Sequence, residues 1–324
     1  MKNLVRSLFL LILALPATAQ EYDPNYLGTY SIIARDPATG ELGVGVQSKA
    51  FAAGNRAYSA KGGLAVIAHQ ASSNPMYGEL GIRLLQQGMT PQQALDTMLR
   101  SDEGKDNRQV AILDFQGRAA AFTGTGTNDW KGHKCGLNYC AQGNTLTGPE
   151  VVDALAKSFE SSKGPLAERL LDALDAAQAA GGDARGMQSG AIVIVRALGG
   201  AAGYSDRVID IRVDDHRQPL VELRRILNML RSGPMITQAN NRARGGDLQG
   251  ALQAANDARA KSPDNDAVYI ALANIYLRMN DRAQAFENLR KAVELNPGNK
   301  RQLPRNQNFQ TVIDDPEFKR ITGS

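Results

Sequence analysis

The fold class this sequence predicts is α+β: a four-layer αββα sandwich, two β-sheets stacked face to face between helices, followed by a small all-α helical-repeat segment. Three observations lead to it. Strand-type runs alternate with helix pairs in the order strands, helix pair, strands, helix pair, strands, helix. Those runs are so apolar that both faces of a sheet need cover. After Ser232-Gly233-Pro234 the pattern turns to helix alone and repeats itself. A length of 324 residues also exceeds what one hydrophobic core usually organises.

The chain opens with a basic start (Lys2, Arg6), an apolar stretch from Leu8 to Leu15, and Ala17-Thr18-Ala19 before Gln20. That order reads as a secretory signal over 1–19 and predicts a periplasmic or secreted protein with no stable membrane span. A retained anchor is the alternative, although the apolar stretch is short for a bilayer. Gln20 to Gly28 is polar and without periodicity, a short leader or propeptide. Thr29 to Asp36 then reads as a strand, Pro37-Ala38-Thr39-Gly40 as its turn and Glu41 to Phe51 as the returning strand. Gly43 and Gly45 weaken that strand on propensity grounds, which predicts a close neighbour over its backbone. Leu64 to His69 is a nearly continuous apolar run, as in a strand buried on both faces.

Asn74 caps and Pro75 opens a helix to about Gln87, ended by Gly88; Thr90, Pro91 and Gln93 make a capping-box start for the next. Arg108 to Phe115 and Arg118 to Thr123 pair across Gln116-Gly117. Pro149 begins a helix through Phe159, and Pro165 another that ends at Gly181-Gly182. Gly190 to Arg196 and Arg207 to Val213 read as strands and Pro219 to Arg231 as a helix. The sandwich therefore spans 29–232 and the helical domain 233–324.

In the latter, Asp247 aligns with Asp281, Ala251 with Ala285, Ala258 with Ala292 and Pro263 with Pro297, a spacing of about 34 residues that resembles the tetratricopeptide repeat. Two copies fall short of a free-standing array, so the segment is expected to dock on the first domain or to be capped by Phe309 to Ile321. A protein or cell-wall partner is one use for it; packing or homo-oligomerisation is the other.

Hydrophobic residues at 43% and charged residues at 22% exclude a disordered or multi-span membrane chain. The formal charge of +4 falls to about +2 once Lys2 and Arg6 leave with the signal, which removes nucleic acid from the expected partners. The two cysteines, Cys135 and Cys140, flank Gly136-Leu137-Asn138-Tyr139, and an exported chain favours a local disulfide between them. With His133 they would supply only three zinc ligands. The three histidines, His69, His133 and His216, lack helical metal-ligand spacing, and Asp214-Asp215-His216 fits a strand end before Pro219. Neither a Gly-x-Ser-x-Gly elbow nor a phosphate loop occurs, and the threonine chemistry that remains is expected to need no metal and no cofactor.

What remains is Thr29, a threonine heading a strand behind a glycine and a short leader. Cutting Gly28-Thr29 would make its hydroxyl a nucleophile and its amine, with a reference pKa of about 7.7–8.0, the base. A nearby lysine, Lys49 or Lys61, would lower that amine's pKa. An ordinary first strand is the plain alternative.

The run from Thr29 to Pro37, then Gly40-Glu41-Leu42-Gly43-Val44-Gly45-Val46-Gln47-Ser48-Lys49, closely resembles the start of the bacterial and archaeal family called domain of unknown function 1028. Gln70-Ala71, Asn74-Pro75, Tyr77-Gly78, Gln142-Gly143-Asn144 with Leu146, Gln188-Ser189, and Asp210 with Arg212 to His216 resemble it too, so that the likeness covers about Thr29 to Leu227. The resemblance implies the N-terminal nucleophile hydrolase superfamily, an αββα fold and amide-bond hydrolysis. It implies Thr29 as nucleophile and Lys49 as the basic residue of the second strand. Asn144 and Asn74 are read as oxyanion donors, and Ser31, Gln70, Gln142, Gln188 and Ser189 as groups toward a small-molecule or peptide-like substrate. Many members begin with Met then Thr, whereas here the leader stands in front. Either Gly28-Thr29 cuts itself or the amine is never freed, in which case a non-catalytic peptide- or peptidoglycan-binding protein is the alternative.

Overall fold

The computed structural model describes residues 26–324, so the signal segment expected over 1–19 and the first part of the leader expected over 20–28 lie outside the described residues. The leader's last residues already belong to the fold: β1 (Tyr26–Leu27) runs directly into β2 (Thr29–Asp36), and the expected turn, with Gly40 at φ 70°, returns the chain as β3 (Glu41–Ser48). β4 (Tyr58–Lys61) and β5 (Ala65–Ser72) lead to helices α1 (Met76–Gln86) and α2 (Pro91–Arg100). The α2 capping box forms as expected: Thr90 Oγ1 accepts from Gln93 N–H and Gln93 Oε1 accepts from Thr90 N–H at 2.9 Å.

β6 (Arg108–Asp114), β7 (Ala119–Thr123), β8 (Gly132–Gly136) and β9 (Tyr139–Asn144) precede α3 (Glu150–Ser161) and α4 (Leu166–Ala179), then β10 (Ser189–Val195) and β11 (Arg207–Val213). All pairings are antiparallel, in two sheets. One has the order β1-β5-β6-β7 with β4 also on β5, the other β11-β10-β3-β2-β9-β8. Sequence patterning missed β1, β4, β8 and β9. β8 and β9 carry glycine and polar residues at interior positions, so their strand state comes from neighbours, not from propensity.

Period-two alternation sorts the core. Ile33, Val44 and Val193 meet Val66, Ala68 and Leu113 between the sheets. Tyr30, Ile32, Ile192 and Ile194 point outward against α3, α4 and Leu220, Leu223 and Leu227, while α1 and α2 cover Ile67 and Ile112 of the other sheet. The glycines of β3 have the predicted close neighbour. A Cβ on Gly43 would lie 2.7 Å from Leu170 Cδ1, and one on Gly45 3.2 Å from Leu174 Cδ1, so α4 rests on that strand's backbone.

The helix expected to stop at Arg231 does not stop. α5 spans Pro219–Arg244 with Pro234 inside it, so the boundary placed at 232/233 falls within one helix. Proline withholds one hydrogen bond from Leu230's carbonyl, but packing on both sides holds the helix through it. Its first half lies against α4, where Arg231 forms a two-pronged pair with Glu168 (2.8 and 3.0 Å). Its second half supplies Ala239 and Ala243 to the helical core with Ala251, Ala255, Ala258 and Leu272.

α6 (Leu248–Lys261), α7 (Asp266–Arg278) and α8 (Arg282–Leu295) complete two helix pairs, and the repeat register has a physical cause. Asp247 and Asp281 are both N-caps, accepting from Gly250 N–H and Gln284 N–H at 2.9 and 3.0 Å. Both expected closures occur together. The array docks through α5, and Phe309 and Phe318 cap its far end against Ala273 and Leu289. The chain is thus a mixed α/β domain with antiparallel sheets followed by a helical segment.

Candidate active site

The second sheet ends in a row of polar residues. Register places Asn144, Thr29, Ser48 and Ser189 side by side on β9, β2, β3 and β10, all fully buried. Thr29, Ser31 and Ile33 face the first sheet, and the interior that is apolar around Ile33 turns polar toward Thr29. There Ser31 Oγ donates to Gln70 Oε1 (2.7 Å), Gln70 Nε2 donates to the Thr29 carbonyl (3.0 Å) and to Gln109 Oε1 (2.8 Å), and Asn144 Nδ2 donates to the same Gln109 oxygen (3.0 Å). Gln142 Nε2 reaches Ser31 Oγ at 3.4 Å. Five expected residues, Thr29, Ser31, Gln70, Gln142 and Asn144, therefore share one buried network. Gln109, not singled out from sequence, ties it together, since its Nε2 also donates to the carbonyls of Gly143 and Gly132 (2.8 and 3.1 Å).

The Gly28-Thr29 peptide lies at the edge of this network. Thr29 Oγ1 donates to Ser48 Oγ at 3.0 Å, and Ser48 Oγ donates to the Gly28 carbonyl at 2.6 Å. The same carbonyl accepts from Arg185 Nη2 at 2.7 Å. Asp183, wholly buried, fixes that guanidinium through Nε (3.0 Å) and Nη2 (2.8 Å), and accepts the Lys49 N–H at 3.2 Å. A Cβ on Gly28 would lie 2.2 Å from Arg185 Nη2, so a larger residue here would have to displace that guanidinium from its present bonds.

Ahead of it, Leu27 is fully buried among Val46, Ala57 and Ala191. The Tyr26 hydroxyl donates to Asn144 Oδ1 (3.1 Å) and accepts the Asn128 N–H (2.9 Å), and burial raises its pKa above the ordinary phenol value, keeping it neutral.

The other expected residues stand apart. Lys49 follows Ser48, so its side chain leaves by the opposite face; its ammonium is exposed and donates to the Met187 carbonyl at 3.3 Å, and the cation that touches the Gly28-Thr29 bond is Arg185. Asn74 accepts from Met76 N–H (3.0 Å) at the head of α1. Ser189 donates to the Ala50 carbonyl (2.6 Å), fixing the loop after β3, and Gln188 donates to Asp215 (3.2 Å). Gln188, Asp215, His216 and Lys49 line an open cleft of about 720 Å³ beside the row. Cys135 and Cys140 are opposite each other on β8 and β9 and form the expected disulfide. Among the described residues no cluster of three metal-ligating side chains occurs, and no helix is long and apolar enough to cross a membrane.

His69 on β5 is buried, with Nδ1 against Ser73 Oγ (3.1 Å), and burial pushes its pKa down to about 4. In the unfolded chain it would titrate near ~6.5, so the folded state binds fewer protons between these values. Its contribution to stability is full above the unfolded value and is lost as the pH falls toward 4, on the order of 3 kcal/mol. The denaturant midpoint of wild type should therefore fall relative to that of His69→Asn as the pH drops from 7 to 4. Parallel pH dependence would show that His69 is not the group responsible.

Comparison with known proteins agrees with this layout. A family model described as a family of unknown function, DUF1028, matches residues 29–223, and a tetratricopeptide repeat model matches 243–302. No curated protein matches. The crystal structure of protein SPO2555 from Silicibacter pomeroyi, described as DUF1028, is similar with a TM-score of 0.56 and 30% identity, over 62% of this chain and 88% of that one. With 29–223 matched and this solved relative, the chain belongs to the DUF1028 family.

Proposed function

We propose that this chain is an exported amide hydrolase of the N-terminal nucleophile type, an αββα sandwich that frees Thr29 by cutting its own Gly28-Thr29 bond and then acts on a small-molecule or peptide-like substrate. One observation carries the proposal. The Gly28 carbonyl accepts from Ser48 Oγ at 2.6 Å and from Arg185 Nη2 at 2.7 Å, while Thr29 Oγ1 donates to the same Ser48 at 3.0 Å. Donors so placed stabilise the negative charge that develops on that oxygen during acyl transfer.

Thr29 Oγ adds to the Gly28 carbonyl carbon, closing a small ring through Cβ, Cα and N. Its proton passes to Ser48 and the Ser48 proton to the carbonyl oxygen, whose charge Arg185 shares. Collapse breaks the C–N bond as that proton moves to nitrogen, leaving Gly28 esterified on Thr29 Oγ and a free amine. Water hydrolyses the ester to a Gly28 carboxylate and restores the hydroxyl. On an external amide the freed amine takes the hydroxyl proton, delivers it to the leaving amine, and activates the water that releases the acyl group. Arg185 and Ser48 hold the oxyanion, and Arg185 is the cation that depresses the amine's pKa, a role first read for Lys49. The family match begins at Thr29, immediately after the bond to be cut, which supports this reading. The composition of residues 1–19 and the disulfide support export.

The second reading is a non-catalytic peptide- or peptidoglycan-binding protein of the periplasm. The tandem repeats, a type of segment that commonly engages protein partners, favour it. Intact mass and N-terminal sequencing of the exported protein separate the two. The hydrolase gives a chain that starts at Thr29. Fully mature material that starts at Gln20 sinks the autoprocessed mechanism and leaves the binding protein.

A further inference from the structure

We infer that the leader residues Tyr26-Leu27-Gly28 are a built-in copy of the acyl half of the substrate. The processed site then takes an extended peptide amide with glycine at the cleaved acyl position and a medium-sized aliphatic side chain before it. The inference rests on the hydrolase reading above and names the substrate class for that same site.

The leader is held as a bound strand, not as loose chain. β1 adds antiparallel to the edge of β5, with Tyr26 opposite Ser72 and Leu27 opposite Ala71, the way extended peptides join an exposed sheet edge. Leu27 fills a small apolar pocket of its own, formed by Val46, Ala57 and Ala191, separate from the main cores. Its carbonyl accepts from Asn144 Nδ2 at 3.4 Å, and Tyr26 places its hydroxyl between Asn144 and Asn128.

At the cleaved position the guanidinium of Arg185 occupies the place of a side chain: a Cβ on Gly28 would meet Nη2 at 2.2 Å and Cζ at 2.6 Å. That guanidinium cannot swing aside cheaply, because both of its bonds to the buried Asp183 would break. A substrate with a side chain there would have to displace the guanidinium from Asp183 before its carbonyl could reach Ser48 and Arg185, which favours glycine. Cutting turns the Gly28 carbonyl into a carboxylate beside Arg185, so the first product remains charge-paired until it dissociates and leaves β5's edge and the Leu27 pocket to the next acyl group.

The test uses the full chain after self-processing, with Thr29 verified at the N-terminus and the released leader dialysed away. Acetyl-Tyr-Leu-Gly p-nitroanilide should be hydrolysed with kcat/KM about 100-fold above the Tyr-Leu-Ala analogue, and about as far above Tyr-Asp-Gly, which puts a charge in the Leu27 pocket. Free Tyr-Leu-Gly acid should inhibit competitively and Tyr-Leu-Ala acid should not. A processed enzyme that cleaves the glycine and alanine peptides equally well, or cleaves other amides and none of these, overturns the inference while the hydrolase reading stands. A chain that keeps its Gly28-Thr29 bond under all conditions overturns both.

Discussion

Thr29→Ala should leave the chain with its leader attached and without hydrolytic activity, a loss of roughly 10⁴-fold or more, because the variant removes the hydroxyl proposed to attack the Gly28 carbonyl. The fold should survive. The hydroxyl makes one hydrogen bond, to Ser48, and its loss costs about 1 kcal/mol, so thermal unfolding measured beside the cleavage assay will be nearly unchanged. Thr29→Ser restores an attacking oxygen and should restore the mass shift. A Thr29→Ala chain that still appears without its leader would move the nucleophile elsewhere, with Ser31 and Ser48 the hydroxyls next in line.

Arg185→Ala should slow release of the leader by about 10²–10³-fold, the usual effect of removing one oxyanion donor, read as the first-order conversion of precursor to processed chain on a gel or by mass. The Ser48 donor remains, so cleavage should be slow, not absent. Arg185→Lys keeps the charge but cannot reproduce two bonds to Asp183 and one to the Gly28 carbonyl from a fixed plane, and should fall between. Because Asp183 is buried, the alanine variant also leaves its carboxylate with only the Lys49 and Arg185 backbone N–H groups and no charge partner. The lysine variant is the cleaner comparison. Unchanged rates in both would assign Arg185 to holding the loop and would leave Ser48 as the sole donor.

Much of the fold was legible in the chain. Hydrophobic periodicity and Gly, Pro and Asn punctuation located α1 to α4 and the strands of the apolar core, and the paired aspartates Asp247 and Asp281 located the repeats because each caps a helix. What escaped is instructive. β9 is buried along its whole length yet carries Gln142, Gly143 and Asn144, residues that read as a loop, because its strand state is imposed by β2 on one side and β8 on the other. α5 passes through Pro234 because one half is clamped to α4 and the other to α6 and α7, and those contacts outweigh one lost backbone hydrogen bond.

The site divides in the same way. Thr29 behind a glycine, and the glutamines and asparagines of the family motifs, were visible as residue types. Ser48 was passed over in favour of Lys49, although alternation from Val44 and Val46 sets Ser48 on the inner face with Thr29 and turns Lys49 away. Arg185 and Asp183 had no local signal, since they approach Gly28 from 157 residues further along the chain.

By itself the sequence determined the mixed α/β character of the first domain, the repeat, the disulfide partners and the threonine that heads the first long strand, because these follow from periodicity, capping chemistry and short-range spacing. Only the tertiary structure decided that Tyr26 and Leu27 are a strand of the sheet, that a side chain on Gly28 would meet Arg185, and that Ser48 and Arg185 hold its carbonyl. Those are matters of register between strands and of a loop folded back over a peptide bond, which no property of the neighbouring residues encodes.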